Sequence, residues 1–276
     1  MAPDTNPAWS IRPYAAGDRV AVRRICCDTA DAGRPVEAFF DDRELIADLL
    51  MNYYTDFEPA SAWVVIAGEV VGYLTGCRDT GAFRRIMFWR IVPRALFKAF
   101  WRGTWWAAST RRLVRYNLPI WWRSLGHRAM PLAGYPAHLH INLRTGMQGQ
   151  GMGRRLINQF LAQLRAAGIS GVHLSVREDN MAAIAFFEKT GFARLDRRPF
   201  MRIGPGADDM RYSVVMVQPL KYNHRTLMFM QNKDDTWRDY ERRTDDTWKF
   251  NSCPTPGCDR ARLGFADSAG RSNVGI

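Results

Sequence analysis

The chain has 276 residues, 47% of them hydrophobic, which is enough for one sizeable domain with a packed core. Its five cysteines are too few and too scattered for a disulfide framework, and Cys253 and Cys258 lack the further ligands that a zinc site needs. The formal net charge of +12 keeps nucleic acid, an anionic membrane and other polyanions open as partners. The first ten residues contain no apolar run typical of a signal peptide, so we expect a cytoplasmic protein with reduced, buried thiols and no metal.

The first part of the chain predicts a strand, two helices and a hairpin from its hydrophobic spacing. In chain order these are a strand over 10–14, helices over 18–33 and 41–54, and a hairpin over 61–77. Asp41 or Asp42 is the expected N-cap of the second helix. The dipeptide Gly68-Glu69 marks the turn between the two apolar runs of the hairpin.

A basic and aromatic stretch, residues 84–128, interrupts this pattern and is called the insert below. It contains eleven Lys and Arg residues, no Asp or Glu, and six of the ten tryptophans of the chain. Those eleven charges account for nearly all of the net charge of +12. The insert is predicted to be helical, with breaks at Pro93, Gly103 and Pro119.

Strands and helices alternate in the second half of the chain. The predicted elements are a strand over 137–143, a glycine-rich loop and helix over 147–168, a strand over 171–176, a helix over 179–192 and a last strand over 210–220. An antiparallel start followed by a β-α-β centre predicts an α+β or α/β domain with a mixed, mostly antiparallel sheet flanked by helices. Residues 221–276 repeat the tetrapeptide Asp-Asp-Thr-Trp once and are otherwise rich in Gly, Ser and Arg, so we expect a poorly ordered tail.

The glycine-rich loop places Gly149, Gly151 and Gly153 at the start of a predicted helix. Free backbone amides and the helix dipole favour an anion there, and glycine lets the backbone approach it closely. A nucleoside-triphosphate loop would need Lys where Arg154 stands, and the third glycine of a dinucleotide fingerprint comes one residue early. Gln148, Gly151 and Gly153 instead fill the pattern Gln/Arg-x-x-Gly-x-Gly/Ala.

With this loop the chain resembles the GCN5-related N-acetyltransferases, the GNAT superfamily, in which the loop binds the pyrophosphate of acetyl-CoA. Downstream, "NMAAIAFFEKTGF" resembles the family pattern Asn-x-x-Ala-x-x-x-Tyr-x-x-x-Gly-Phe at Asn180, Ala183, Gly191 and Phe192. "SIRPYAAGD" also resembles the usual first strand, so the resemblance covers roughly 10–220 outside the insert. It implies the GNAT fold and an N-acetyltransferase that transfers the acetyl group of acetyl-CoA directly to a small-molecule or peptide amine.

The resemblance also implies the positions that bind the cofactor. In the family, the strand before the loop separates from its neighbour and pairs with the pantetheine arm. The implied positions are Ile141, Asn142 and Leu143 on the strand, Gln148, Gly149, Gln150, Gly151, Met152, Gly153 and Arg154 in the loop, and Asn180 and Phe187 on the next helix. Two usual groups are missing, because Phe187 stands where the family has its tyrosine acid and Ser175 where it often has a carboxylate base.

Amine attack requires a neutral nitrogen, and histidine is the side chain best suited to accept its proton near neutral pH. Alternation along the strand places His138, His140 and Asn142 on one face. His140 is the first catalytic candidate because it lies nearest the expected acetyl position, followed by His138 and Ser175, with His173 on the next strand. A structural role for these histidines remains the alternative, and so does a non-catalytic GNAT-fold protein that binds acyl-CoA or a partner.

Three roles remain for the insert, and none is a membrane span because no run reaches about 18 apolar residues. The favoured one is an amphipathic lid over the acceptor site, since the insert lies between the hairpin and the cofactor strand. The second is an interfacial helix on anionic lipid. The third and least favoured is a nucleic-acid surface, with Arg on phosphates and Trp stacked on bases.

Overall fold

The computed structural model divides the chain into two compact units, 1–222 and 223–276. In the first unit the structure describes residues 9–38, 40–108, 110–112, 114–117, 120, 132–202, 206 and 209–220. In the second unit it describes the backbone of three strands, over 227–231, 237–242 and 248–250.

The described elements of the first unit follow the predicted order, with one strand added. The strands are β1 (Ser10–Pro13), β2 (Ala62–Ala67), β3 (Glu69–Cys77), β4 (Ala137–Leu143), β5 (Gly171–Arg177), β6 (Ala193–Arg202) and β7 (Met210–Pro219). The helices with continuous bounds are α1 (Arg19–Asp28), α2 (Arg43–Asp56), α3 (Thr80–Ile86), α4 (Val92–Trp101), α5 (Met152–Ala166) and α6 (Met181–Lys189).

The seven strands form one sheet in the order β1-β2-β3-β4-β5-β7-β6. Each neighbouring pair is antiparallel except β4 and β5, which are parallel because α5 crosses between them. The expected mixed, mostly antiparallel sheet is therefore confirmed. The change of direction falls between β4 and β5, at the centre of the sheet.

Strand β6 is not among the predicted elements, and its sequence explains why. Residues 193–202 read "ARLDRRPFMR", with four arginines and no apolar alternation. An edge strand has one neighbour and little buried surface, so it does not need a hydrophobic face. Pro199 lies beside a register shift in the pairing with β7, as expected for proline on an edge strand.

The two faces of the sheet carry different packing. On one face, Leu139 and Val172 pack with Leu156 and Phe160 of α5 in a core that also includes α6. On the other face, Tyr73 packs with residues of α1, α2 and α3. Alternation along β4 places the side chains of His138, His140 and Asn142 on this second face, opposite α5.

The predicted turns and caps have clear structural counterparts. Asp42 caps α2 by accepting a hydrogen bond from the backbone N–H of Leu45, at 2.9 Å. Gly68 has a φ of 73° in the β2–β3 turn, which favours glycine. Cys26, Cys27 and Cys77 are free and buried, as expected for thiols that pack as small hydrophobic groups.

The insert is helical as predicted, but Pro93 does not break it. A π-helical turn over Met87–Ile91 joins α3 to α4, and Pro93 lies in the first turn of α4. The wider π-helical turn leaves room for the proline ring. It also means that the N–H group that proline lacks is not needed for a helical hydrogen bond at this position. Gly103 ends α4 with a φ of 74°, as predicted, whereas Pro119 lies outside the described residues.

Buried carboxylates on α2 hold the helical insert against the domain. The carboxylate of Asp42 accepts hydrogen bonds from Arg102 at 2.9 and 3.0 Å and from the hydroxyl of Thr104. Burial alone would raise the pKa of Asp42, but the bonds from Thr104, Arg102 and Leu45 outweigh it and hold the pKa below its ordinary value. Asp48 likewise accepts a hydrogen bond from Lys98, at 3.1 Å.

A second anchor lies at the far end of the described insert. The side-chain amide of Asn117 donates to the carbonyl of Arg202 at 2.9 Å and accepts from its N–H at 2.8 Å. The insert therefore bridges from α2 to the edge strand β6. These two anchors lie at opposite parts of the sheet, because the insert follows β3 in the chain and three strands, β4, β5 and β7, separate β3 from β6.

Within the second unit, the part of the chain that the structure describes forms an antiparallel sheet of three short strands. Its strands are β8 (Leu227–Gln231), β9 (Trp237–Arg242) and β10 (Trp248–Phe250), with β9 in the centre. The last residue of each Asp-Asp-Thr-Trp copy, Trp237 and Trp248, begins a strand. The strands are only three to six residues long, too short for apolar periodicity to reveal them.

No helix within the described ranges has both the length and the apolar character that crossing a bilayer requires.

We expect Asp42→Ala to lower the free energy of unfolding by about 2–3 kcal/mol, because it removes a helix cap and leaves Arg102 without its partner. Chemical denaturation followed by circular dichroism measures this change. Asp41→Ala is the matched control, because Asp41 is exposed and its side chain forms no hydrogen bond or ion pair among the described residues. Equal losses in the two variants would show that Asp42 does not anchor the insert.

Candidate functional site

The parallel strands β4 and β5 pair only at their beginning. The register contains two pairs, Ala137 with Val172 and His138 with His173, although β4 continues to Leu143. Over the same length β4 stays paired with β3, and β5 stays paired with β7. A cleft therefore opens between the two central strands after His138.

The backbone of β4 presents free polar groups to this cleft. The N–H of Arg144 donates to the carbonyl of Val71 on β3 at 2.8 Å, so residue 144 directs its backbone groups to β3. Because the direction alternates along a strand, Leu139, Ile141 and Leu143 direct theirs to the opposite edge, toward β5. Asn142 contributes only its side chain to the site, since its backbone groups face β3.

The glycine-rich loop follows β4 and ends at the start of α5. Gly146, Gly149 and Gly151 have φ angles of 86°, 83° and 79°, which residues with a Cβ rarely adopt. Gly151 is the N-cap of α5, and no side chain caps the helix there. The first amides of α5 are therefore open to a ligand, where the helix dipole favours negative charge.

The other loop residues shape this helix start. The side-chain oxygen of Gln148 accepts a hydrogen bond from the N–H of Gly146 at 2.9 Å, within the loop itself. Met152 is buried and fixes the beginning of α5 in the core. A Cβ on Gly153 would lie 3.0 Å from the ring of Phe186, so this glycine allows α5 and α6 to pack closely. Gln150 is exposed at the tip of the loop.

The two arginines after the loop point to different places. Arg154 is exposed, and its guanidinium lies 3.4 Å from the carbonyl of Lys189 at the end of α6. Arg155 stacks over the ring of Trp9, with 5.4 Å between the guanidinium carbon and the ring centroid. Of these two charges, Arg154 is the one that lies beside the end of α6.

The two predicted cofactor residues on α6 differ in their accessibility. Asn180 caps α6 with its side-chain oxygen, which accepts from the N–H of Ala183 at 3.1 Å, and its side-chain nitrogen has no partner among the described residues. Phe187 is 6% exposed and packs against Phe186 and Phe192. The ring of Phe187 is therefore part of the core.

His138 is fully hydrogen-bonded. The hydroxyl of Thr80 donates to the carbonyl of Pro136 at 2.7 Å, so it must accept from Nδ1–H of His138, which lies 2.8 Å away. Nε2 is then unprotonated and accepts from the hydroxyl of Tyr54 at 2.8 Å. Burial, assisted by neighbouring His173, lowers the pKa of His138 to about 3. These bonds support a structural role for His138.

His140 lies next to Asn142 and Tyr73 on the same face. The side-chain nitrogen of Asn142 lies 3.1 Å from the hydroxyl of Tyr73 and 3.5 Å from Nε2 of His140. This arrangement leaves Nε2 of His140 unprotonated. His140 keeps some exposed surface, yet burial lowers its pKa to about 4, so the imidazole is neutral at neutral pH.

His173 and Ser175 lie on the same face of β5. Nδ1–H of His173 donates to the carbonyl of Tyr135 at 2.9 Å, which leaves Nε2 as an acceptor. The pKa of His173 is lowered, mainly by burial. Ser175 is exposed and is opposite Val215 in the register with β7.

Sequence reasoning did not find the hydroxyl groups that orient these histidines. Tyr54 comes from α2, Tyr73 from β3 and Thr80 from the first residue of α3, and all three lie far from β4 in the sequence. Alternation along each strand was the only available signal. It shows which residues share a face within one strand. Placing Tyr73 of β3 on the same face of the sheet as His140 of β4 also requires the register between the two strands.

Comparison with known proteins adds four similarities. A model of the Acetyltransferase (GNAT) family matches residues 125–192, which contain β4, the loop, α5, β5 and α6. The mycothiol acetyltransferase of Geodermatophilus obscurus is 49% identical over 54 residues, 20% of this chain and 18% of that protein. The N-alpha-acetyltransferase RimI of Mycobacterium tuberculosis is 41% identical over 75 residues, 27% of this chain and 44% of that protein. The crystal structure of SsHAT is 29% identical with a TM-score of 0.58, and the match covers 78% of this chain and 100% of that one.

The chain spans less than half the length of the two sequence relatives, whereas the structural match covers the whole of SsHAT. The family model covers β4 and the glycine-rich loop, and the structural match covers 78% of this chain. The family-model match and the similarity to SsHAT together support membership of this chain in the GNAT superfamily.

We expect the free energy of unfolding to decrease as the pH falls from about 6.5 to about 4, in part because of His140. Its pKa is about 4 in the folded state and 6.5 in an unfolded chain, so the unfolded state binds more protons in this window. Urea denaturation at pH 7, 6 and 5 measures the slope. His140→Gln should give a shallower slope than the parent, whereas exposed Ser175→Ala should leave it unchanged. An unchanged slope in His140→Gln would mean that His140 titrates normally.

Proposed function

We propose that this protein is an N-acetyltransferase that transfers the acetyl group of acetyl-CoA directly to an amine. The observation that carries the proposal is the combination of the β4–β5 cleft with the glycine-rich loop that runs from it into an uncapped helix. This combination offers an extended edge for an amide-containing chain and a cluster of N–H donors for its anionic end. Family membership supports the same reaction.

The donor set fits a pyrophosphate. The N–H groups of Met152, Gly153 and Arg154 begin α5, where backbone donors and the helix dipole act together on an anion. A Cβ at Gly149 or Gly151 would enter open space, so these two glycines keep the loop surface free for a ligand. Arg154 supplies a formal positive charge within reach of the same end of the helix.

The strand edge fits the amide-containing arm of the same molecule. Ile141 and Leu143 present N–H and carbonyl groups to the cleft, and an extended ligand with amide groups can pair with them as a strand would. Leu139 offers the same groups one step further from the loop. The side-chain nitrogen of Asn180 is a further donor at the start of α6.

Bound acetyl-CoA would supply an acetyl thioester whose carbonyl carbon the amine attacks. The chain must then accept a proton from the amine, and neutral His140 is the proposed acceptor, either directly or through water. The hydrogen bond between Asn142 and Tyr73 keeps the Asn142 amide in place beside it. His138 is a weaker candidate, because both of its ring nitrogens are already hydrogen-bonded.

The chain supplies no dedicated acid for the leaving thiolate. Phe187 lies in the core and has no proton to donate, and Ser175 is a poor acid. An alkyl thiol has a pKa of about 8.5, so its thiolate is a tolerable leaving group without protonation. The departure at Phe187 therefore lowers the expected rate and leaves the reaction possible.

A protein that binds acyl-CoA without turnover is the second candidate. The buried ring of Phe187 and the low pKa of His140 favour it, because a base with a pKa of about 4 accepts a proton from an amine less readily than an ordinary imidazole. This candidate shares the cofactor site with the proposed enzyme and differs only in the chemical step.

The acceptor is proposed as an amine of either of two classes. RimI is named as an N-alpha-acetyltransferase, and the other relative is named as a mycothiol acetyltransferase. Peptides with a free N-terminus and small amines are therefore the two panels to test. We propose a cytoplasmic location, which the three free, buried thiols support.

We expect Gly151→Val to weaken coenzyme A binding at least tenfold, because the new side chain would fill the space in front of the first amides of α5. Isothermal titration calorimetry with coenzyme A measures this change. Gly103→Val is the matched control, since Gly103 has a similar φ of 74° and a Cβ there also enters open space, at the end of α4 and outside the loop. Unchanged affinity in a folded Gly151→Val protein would refute the pyrophosphate site.

We expect the protein to release coenzyme A from acetyl-CoA only when an acceptor amine is present, measured with a thiol reagent across both panels. His140→Gln should lower kcat about tenfold or more while the Kd for coenzyme A stays the same, because a lost general base removes about 10²–10⁴-fold at most. Tight coenzyme A binding without release for any amine would favour the non-catalytic candidate. Equal activity in His140→Gln would remove His140 from the reaction.

A further inference from the structure

The insert carries a cluster of aromatic rings on its outer surface, called the aromatic face below. It comprises Phe97, Phe100 and Trp101 of α4 together with Trp106, and their exposed fractions are 62, 52, 72 and 63%. The rings adjoin one another, with centroid distances of 6.0 Å for Phe97–Trp101, 6.3 Å for Phe100–Trp101 and 6.5 Å for Phe100–Trp106. Contiguous exposed apolar surface of this kind marks an interaction site.

The aromatic face follows from how α4 is packed. Ala95 and Ala99 are buried against residues of α2, and small side chains let the two helices lie close together. Successive residues turn by about 100° around a helix, so Phe97 lies about 200° from Ala95, on the opposite side. The helix thus buries its small residues and directs its largest rings to the outside.

Exposed arginines without ion-pair partners precede the aromatic face along the insert. Arg84, Arg85, Arg90 and Arg94 are exposed, and none of them forms an ion pair with a residue that the structure describes. Arg94 is one turn before Phe97 on the same side of α4, and Arg90 lies over the ring of Phe57 at 5.9 Å. No Asp or Glu occurs from residue 80 to residue 177. The positive charge of this surface is therefore not neutralised locally.

We propose that the aromatic face and the arginines that precede it dock on the surface of an anionic phospholipid membrane. Tryptophan and arginine both favour the headgroup region, where apolar rings reach the acyl boundary and cations meet lipid phosphates. The helix is too short to span a bilayer, and its exposed rings can enter the interface while α4 lies along the membrane surface. This proposal does not depend on the transfer reaction proposed above.

Two other occupants fit the surface less well. A second copy of the chain, related by a two-fold axis, would bring the unpaired arginines of both copies together. Single-stranded nucleic acid would satisfy the arginines and stack on tryptophan, but it would gain little from Phe97, Phe100 and the exposed Leu96. Only a hydrocarbon boundary uses both the rings and the charges.

Co-sedimentation of the full chain with lipid vesicles tests the proposal. We expect binding to vesicles of phosphatidylcholine and phosphatidylserine at a ratio of 7:3, and much weaker binding to pure phosphatidylcholine. Phe97→Ser/Trp101→Ser should lower the partition coefficient at least tenfold. Arg90→Gln/Arg94→Gln should lower it about fivefold for each charge on the anionic vesicles, with little change on the neutral ones.

The control is Val20→Ser/Phe200→Ser, which removes two exposed apolar side chains on α1 and β6, outside the insert, and should leave vesicle binding unchanged. Circular dichroism of each variant confirms folding. Absence of vesicle binding overturns the proposal, and so does binding that survives Phe97→Ser/Trp101→Ser. Single-stranded DNA binding or dimer formation that this variant abolishes, without any vesicle binding, would assign the surface to nucleic acid or to a second copy.

Discussion

The arrangement of the site depends on the end of hydrogen bonding between β4 and β5 after His138. Each strand keeps its outer neighbour, so the sheet stays continuous while its two central strands diverge. Buried backbone groups must find partners, and an open strand edge is therefore both a cost to the fold and a place where a ligand can bind. The change from antiparallel to parallel pairing at the same position brings α5 back over the sheet and places its first turn at the end of the cleft.

The same strand separates two kinds of chemistry. Its odd-numbered residues turn apolar side chains to α5 and backbone groups to the cleft, whereas its even-numbered residues turn His138, His140 and Asn142 to the other face. The hydroxyl groups of Tyr54 and Thr80 hold His138 in one tautomer, while His140 remains neutral through burial. One seven-residue strand thus carries the ligand edge, part of the core and the candidate base.

Local patterns in the sequence were enough for most of the fold. The glycine turn at Gly68, the N-cap of α2 at Asp41 or Asp42 and the alternation of β4 are all encoded within a few residues, and the structure confirms each. Strand β6 was missed because an edge strand needs no apolar face. The predicted helix break at Pro93 was wrong because a π-helical turn lets the helix continue through the proline, and such a turn depends on tertiary packing. The partners of the histidines depend on the register between distant strands, which no local pattern contains.

The π-helical turn over Met87–Ile91 also determines which side of α4 meets the domain. A turn of this kind contains one residue more than an ordinary helical turn, and one residue corresponds to about 100° of rotation for everything that follows it. Removing a single residue there would rotate Ala95 and Ala99 away from α2. The number of residues in this segment is therefore constrained more tightly than their identity. Many apolar sequences could form the turn, but only one segment length keeps Ala95 and Ala99 packed against α2.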